Sequence, residues 1–346
     1  MIRRAIALAG LIVVVVVVWF LVSLEQPFAG SGSGRLLVVI PSNASTSQIG
    51  DELARDGVIG SSFFFELRAK LGGDSFRSGT FVLAHGMSYG AALSALTSQT
   101  GVPPEIPVTI IPGKDRWQIN QLLRSEGVKG SYLKDTIRSS FFKPAAWGAP
   151  KHPASLEGFL YPDTYDLKSP LSIPALVKDQ LEEFNREMST VNFRYAESKN
   201  LTPYDVLKIA SLEEAEAFTP GDLRRVASVI YNRLRDGMSL GLDTTVAYIF
   251  NNYSGSLTQS QLDVNNPWNT TNRLGLPPTP IDSPAVNAIQ AAAHPADTDY
   301  TYFIVKVCGN GSLAFTTNLT TFDKLSSEYN AAVTAHGINK AEFCGH

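Results

Sequence analysis

Three carboxylates, Glu213, Glu214 and Glu216, fall in the run Ser211-Leu212-Glu213-Glu214-Ala215-Glu216. A carboxyl withdrawn from water keeps its proton near neutral pH, so it can serve as a general acid and then, once ionised, as a base. The surrounding pattern predicts a helix to carry them. Thr202 suits an N-cap, Pro203 the first helical position, and Asp205 the first turn, where an acid is favoured. Offsets of four and seven share a helix face, so Leu207, Ala210 and Glu214 form one stripe and Ile209, Leu212 and Glu216 its neighbour. Acids thus stand where the periodicity calls for apolar residues, whereas a surface helix turns its acids outward. Inward carboxylates are costly unless paired or used. The competing assignment is structural: ion pairs to Arg224, Arg225 or Arg233 downstream.

Other reaction classes lack their residues. The five histidines, His85, His152, His294, His336 and His346, are scattered and make no H-E-x-x-H spacing, so no metal site is expected. The chain has no G-x-S-x-G elbow, no P-loop and no G-x-G-x-x-G after a strand, and calls for no cofactor. A net charge of -3 without long runs of one sign argues against a nucleic-acid partner. Loops rich in Tyr, Trp and Asn suit a sugar, although aromatics are equally common in cores.

Stepping outward from the acids, 346 residues with ordinary apolar and charged fractions allow about two domains. Arg3 and Arg4 precede an uncharged apolar run over residues 5–24 that includes six valines, Val13 to Val18. Twenty such residues at ~1.5 Å each match a bilayer core of ~30 Å. The basic leading end favours a cytoplasmic N-terminus, with everything after Glu25 outside the cytoplasm and the chain held in the cell membrane by a single pass. A cleaved signal peptide is the alternative, but its apolar stretch is usually ~7–15 residues and no A-x-A site follows. Residues 30–34, Gly-Ser-Gly-Ser-Gly, read as a flexible tether. In an extracytoplasmic setting Cys308 and Cys344 are expected to pair as a disulfide, which also removes either as a nucleophile.

The segment after the tether repeats itself. Gln48-Ile49, Leu53 and Gly57-Val58 correspond to Gln118-Ile119, Leu123 and Gly127-Val128, each copy following a strand that ends in Ile-Pro. Two copies are too few for a solenoid, so they predict pieces of small mixed α/β architecture. Helices are further expected over residues 63–70 and 88–96, a strand over 78–83, and a boundary at the prolines of 101–107. Beyond it, residues 173–200 read as one helix with Leu176, Leu181 and Phe184 inward. A helix opening at Thr219-Pro220 packs against the acid-bearing one. Residues 275–280, rich in Pro, form a rigid loop. Then follow a helix over 284–293, a strand over 299–307 that pairs with 315–318, and a closing helix over 321–335.

The run Ile209 to Glu216, continued by Arg225-Val226-Ala227-Ser228-Val229-Ile230-Tyr231-Asn232-Arg233-Leu234, resembles the endolytic murein transglycosylases, the YceG-like or MltG family. So do Glu157-Gly158 with Tyr161-Pro162-Asp163-Thr164, Leu242-Asp243-Thr244-Thr245-Val246, Asn269-Thr270, Gly275-Leu276-Pro277-Pro278, Ala291-Ala292-Ala293-His294-Pro295 and Phe315-Thr316-Thr317-Asn318. The resemblance implies an α+β chain with a transmembrane helix (1–24), a linker (25–35), a LysM-like module (36–102) and a YceG-like catalytic domain (103–346). It implies a metal-independent lyase that cuts peptidoglycan glycan strands internally between MurNAc and GlcNAc, leaving 1,6-anhydro-MurNAc ends. Partners would be the glycan strands, the bilayer through residues 5–24, and peptidoglycan synthases whose nascent strands it terminates. The register of the family pattern makes Glu214 the catalytic acid, Glu216 its supporting acid and Glu213 a variable position. Asp243, Glu157 and Asn269 are candidates to orient the sugar or, equally, to hold their loops. Thr244 departs from the family's usual proline. Two alternatives remain open at this level: a non-catalytic wall-binding scaffold and a hydrolysing muramidase.

Overall fold

A computed structural model describes residues 2–26, 30–73, 75–98, 105–128, 130–168, 171–217, 219–253 and 256–336. The chain divides into two compact units, Met1–Ile106 and Pro107–His346. In the first, α1 (Ile2–Glu25) precedes β1 (Ser33–Ile40), α2 (Thr46–Arg55), α3 (Ser62–Gly72), β2 (Gly79–His85) and α4 (Tyr89–Ser98). The strands β1 and β2 pair antiparallel, with Val38 opposite Phe81 and Ile40 opposite Gly79. Val38, Ile49, Leu53, Phe65, Phe81 and Leu96 form the core beneath them. The Gly-Ser run expected as a free tether instead enters β1 at Ser33, and the Gly30 carbonyl accepts the Ser88 N–H at 2.9 Å. Side chains of α1 are described over residues 10–24, a stretch of about 22 Å at ~1.5 Å per residue. Among the described residues no helix is long and apolar enough to cross a membrane.

The second unit is entered through β3 (Glu105–Thr109) and continues with α5 (Arg116–Ser125), α6 (Tyr132–Asp135), β4 (Thr164–Lys168), α7 (Ile173–Met188) and α8 (Arg194–Ser198). Then come α9 (Pro203–Glu216), α10 (Pro220–Arg235), α11 (Asp243–Phe250), α12 (Gln259–Leu262), α13 (Val286–Ala293), β5 (Tyr302–Val305), β6 (Leu313–Thr316) and α14 (Leu319–His336). The strands form two-stranded sheets, β3 with β4 and β5 with β6, the latter registered Tyr302 to Thr316 and Val305 to Leu313. The architecture is mixed α and β, as expected.

Both copies of the repeat adopt the same local structure. Ser45 caps α2 and Asp115 caps α5, each in a reciprocal capping box with Gln48 or Gln118. Each helix leads into a glycine at positive φ, Gly57 at 71° and Gly127 at 74°, a conformation that side chains resist. The chain then folds back, Val58 N–H to Leu53 O and Val128 N–H to Leu123 O, both 2.9 Å. The matched positions were apolar because Ile49, Leu53, Ile119 and Leu123 are all buried.

The helix expected over residues 173–200 is broken into α7 and α8. Ser189 and Thr190 donate their hydroxyls back to the carbonyls of Arg186 and Glu187 at 2.6 and 2.7 Å, taking acceptors that a continuing helix would need. Leu176, Leu181 and Phe184 do point inward, each fully buried. At the centre, α9 packs against α10, α11 and α13. Val206, Leu207, Ile209, Ala210 and Leu212 are all fully buried, so α9 is an interior helix and not an amphipathic one.

Candidate active site

Thr202 and Asp205 form the capping box that starts α9, with Pro203 at its first position. The last turn of this buried helix carries the three acids into the interior. Arg224 donates to the carbonyls of His294 and Pro295, Arg225 pairs with Asp222, and Arg233 bonds the carbonyls of Thr301 and Leu240. The cations that a structural ion-pair network would use are thus committed elsewhere, although Arg233 still lies near enough to Glu216 to favour its ionised form.

Each acid has a different environment. Glu214 is partly buried and its Oε2 accepts the Ala285 N–H at 3.3 Å. Burial raises its pKa above the ordinary glutamate value, and the Ala285 bond offsets this in part. Its Cγ stands against Gly113, where an added Cβ would come within 3.6 Å. Glu216 accepts a hydrogen bond from Thr244 Oγ1 at 2.7 Å, and burial pushes its pKa up to about 7. Glu213, expected to be a variable position, is the deepest of the three. It is fully buried with neither oxygen in a hydrogen bond, and burial together with the Glu214 charge holds its pKa well above the usual range.

A single extended segment, residues 281–285, fastens the acid-bearing turn. The Ile281 N–H donates to Ser211 Oγ at 3.1 Å, and the Ala285 N–H to Glu214. On its other edge the Ser283 carbonyl accepts the Gly113 N–H at 3.0 Å, and the Ser283 N–H donates to Lys114 O at 3.1 Å. This bridge brings the loop between β3 and α5 to the end of α9.

A cleft of about 620 Å³ opens there, lined by Gly113, Lys114, Gln118, Ala215, Asp243, Thr244, Tyr248, Asn252, Tyr253 and Asp282 among others. Tyrosine rings, amides and carboxyls in one concavity suit a carbohydrate, with rings for the apolar face and polar groups for hydroxyls. Asp243 lies exposed at its rim as the first residue of α11.

Glu157 and Asn269 are placed differently. Glu157 is 2% exposed and accepts the Arg116 N–H at 3.2 Å and the Tyr248 hydroxyl at 3.4 Å, at the N-terminus of α5. Burial, then the Asp115 charge, pushes its pKa up to about 8. It also lines a second hollow with Asp115, Trp117, Tyr248 and Trp268. Asn269 is fully buried, donating to Leu262 O and Val264 O and accepting from Thr271, so both ends of its amide serve its own loop. Cys308 is disulfide-bonded, and Cys344 lies outside the described residues.

The site also holds residues that the sequence reading did not single out: Gly113, Lys114, Asp282 and Ala285. Asp282 is 3% exposed, with Oδ1 unpartnered and its pKa well above the usual range through burial. The available signal was the tripeptide Gly113-Lys114-Asp115 after an Ile-Pro strand end, together with an acid two residues after the proline-rich loop.

The arrangement is that of an acid-dependent carbohydrate-processing enzyme of mixed α/β fold. The chain belongs to the YceG-like family, whose model matches residues 38–328. It is 30% identical over 331 residues to an endolytic murein transglycosylase of Bacillus subtilis, covering 89% of this chain and 88% of that protein. It is 24% identical to the endolytic murein transglycosylase of Streptococcus pneumoniae R6, of which it spans 60%. The crystal structure of a yceG-like protein from Listeria monocytogenes superimposes with a TM-score of 0.55 at 26% identity, over 85% of this chain and all of that one.

Proposed function

We infer that this chain is a peptidoglycan lytic transglycosylase, a lyase that cuts glycan strands internally, with Glu214 as its acid and base. The observation that carries the assignment of Glu214 is its position: a partly buried carboxyl on the last turn of α9, its pKa raised by burial, standing against Gly113 and next to Ala215, both of which line a cleft of about 620 Å³. Glu214 donates its proton to the glycosidic oxygen as the bond from the MurNAc anomeric carbon breaks. The C6 hydroxyl oxygen of the same sugar then bonds to that carbon, and its proton returns to Glu214. No water is added, so the product carries a 1,6-anhydro end, and one carboxyl performs both steps in turn. The paired carboxyls of ordinary glycosidases are not required. Glu216, tied to Thr244, holds the helix end, and Asp243 at the rim meets the incoming sugar.

The test is Glu214→Gln in the full chain, with products read by mass spectrometry. The expected result is a folded protein that releases no anhydro-terminated fragments; retained cleavage would remove Glu214 from its role. Products heavier by one water would indicate hydrolysis.

The same reading extends to place and purpose. Residues 5–24 anchor the enzyme in the cell membrane, supported by the apolar run and by α1, on which Val13 to Val18 and Trp19 are all exposed. The first unit acts as a LysM-like module, supported by its β1–β2 pair with flanking helices. An anchored internal cutter would meet strands as synthases extend them and so end their growth. Membrane fractionation of the full chain against one lacking residues 2–24 tests the anchor: equal recovery in the soluble fraction would refute it.

A further inference from the structure

Two of the chain's four tryptophans, Trp117 and Trp268, line the second hollow of the second unit. Its volume is about 330 Å³, within the ~300–1,000 Å³ that small-molecule sites occupy. Trp117 is the second residue of α5, and Trp268 stands in the loop before the prolines. The Trp268 Nε1–H donates to Thr279 Oγ1 at 2.9 Å, which fixes the plane of its ring. Glu157 and Tyr248 form part of the same lining, joined by the 3.4 Å bond from the Tyr248 hydroxyl. Asn251 and Asn266 complete it. Asn266 Oδ1 accepts the Trp268 N–H at 3.0 Å, while its NH2 and the whole Asn251 amide bond to no described residue. Two rings and two amides with unused hydrogen-bonding capacity therefore meet in one concavity.

The charged groups of the lining are already occupied. The Arg116 guanidinium is committed to Thr136 Oγ1 and the Leu133 carbonyl, so an anion entering the hollow would find no free cation. A cation would fare no better. Asp115 and Glu157 are each 2% exposed, the first bonded to Gln118 and Tyr253, the second to Arg116 and Tyr248. The fitting occupant is uncharged, with an apolar face for the indoles and an amide for the asparagines. An N-acetylhexosamine has both. The hollow also adjoins the catalytic cleft. Tyr248 lines both, and its neighbours divide between them, Ala247 and Asn252 to the cleft, Ile249 and Asn251 to the hollow. Tyr253 of the cleft donates its hydroxyl to Asp115 of the hollow. We propose that the Trp117–Trp268 hollow is a glycan subsite that takes an N-acetylhexosamine unit beyond the sugars held in the catalytic cleft, and so favours strands long enough to fill both. This rests on the strand-cutting reading above. An internal cut requires sugars held away from the broken bond, and the hollow supplies that hold.

The test is calorimetric binding of peptide-free glycan fragments, sorted by length, to the full chain carrying E214Q, with W117A, W117F or N251G added. Trp117 is 37% exposed, so its truncation spares the core, and Asn251 has φ 50°, a conformation glycine adopts without strain. W117A should weaken the longest fragments about tenfold, equivalent to ~1.4 kcal/mol. N251G should weaken them about threefold through the lost amide. W117F keeps a ring and should recover most of the W117A loss. Fragments too short to reach the hollow should weaken far less, so the rise of affinity with length shrinks in both W117A and N251G. A loss equal at every length, no loss in either variant, or a W117A loss that W117F fails to recover would each overturn the subsite. An E214Q chain that binds no fragment of any length would overturn the strand-cutting reading and the subsite together. Tight binding whose length dependence survives both substitutions rejects the subsite alone.

Discussion

The backbone N–H of Ala285 donates to Glu214 Oε2 at 3.3 Å, so the N-cap residue of α13 bonds the acid on α9. A bond to the carboxylate favours the ionised form, which suits the stage at which Glu214 must take a proton back. Ala285 has φ -78° and ψ 165°, a conformation proline adopts without strain. Ala285→Pro deletes the donor and little else. The expected outcome is a folded enzyme about fivefold slower, since a single hydrogen bond contributes ~1 kcal/mol. Its alkaline limb should move to higher pH, because the lost bond favoured the ionised form. A limb that stays in place would show that the Ala285 bond does not tune the acid.

Thr244 joins α11 to the end of α9 through its 2.7 Å bond to Glu216, at a position where the family resemblance led us to expect proline. Proline has no hydroxyl, so this chain holds Glu216 by a contact of its own. Thr244→Val keeps the shape and loses the donor. Stability should fall by about 1 kcal/mol in urea titrations. The Glu216 pKa, already about 7, should climb further. No change in urea midpoint would mean that solvent replaces the hydroxyl.

Local signals were legible in the sequence because they act over three to seven residues. Thr202-Pro203 and Asp205 fixed the start of α9, and the matched glycines Gly57 and Gly127 marked the ends of α2 and α5. Glu214 was singled out by motif register, not by periodicity. The burial of α9 on every side, which puts Glu213 deepest, depends on α10, α11 and α13 and leaves no stripe to read. Asp282 and Lys114 were missed because their neighbourhood is created by the Lys114–Ser283 bridge, between segments far apart in the chain. Asn269 looked available for a sugar because it stands among polar loop residues; its four loop contacts emerge only once the chain has turned back on itself.

Gly158 has φ +82°, and an added Cβ would lie 2.4 Å from Pro280 Cγ and 2.6 Å from Pro280 Cβ. The missing side chain thus lets the loop carrying Glu157 lie close against the rigid proline loop that leads into Asp282. Neither side can yield, because one is a backbone in the left-handed region and the other a proline ring. Gly158→Ala should cost about 2–3 kcal/mol through overpacking and backbone strain, read as a lower melting temperature. Activity per folded molecule should drop as well, since the Asp282 segment would shift. A variant with wild-type melting and rate would show that the two loops are not locked.

Glu157 makes the stability of the second unit pH-dependent in a direction opposite to that of most surface acids. Its pKa rises from 4.5 to about 8, through burial first and the Asp115 charge second, against the Arg116 charge, the Arg116 N–H and the Tyr248 hydroxyl. Between those two values the folded state binds more protons than the unfolded state. Stability therefore falls as pH rises, because its slope follows the protons bound unfolded minus those bound folded. The contribution is complete below about pH 4.5 and is lost by about pH 8. Asp282 and Glu213, also raised by burial, act with the same sign. Glu157→Gln still offers an acceptor to the Arg116 N–H but cannot ionise. Melting temperatures of this variant should decline less steeply across that window than those of the wild type, and the two should diverge most near pH 8. Parallel curves would mean that Glu157 titrates as an ordinary glutamate and that its burial is relieved by water.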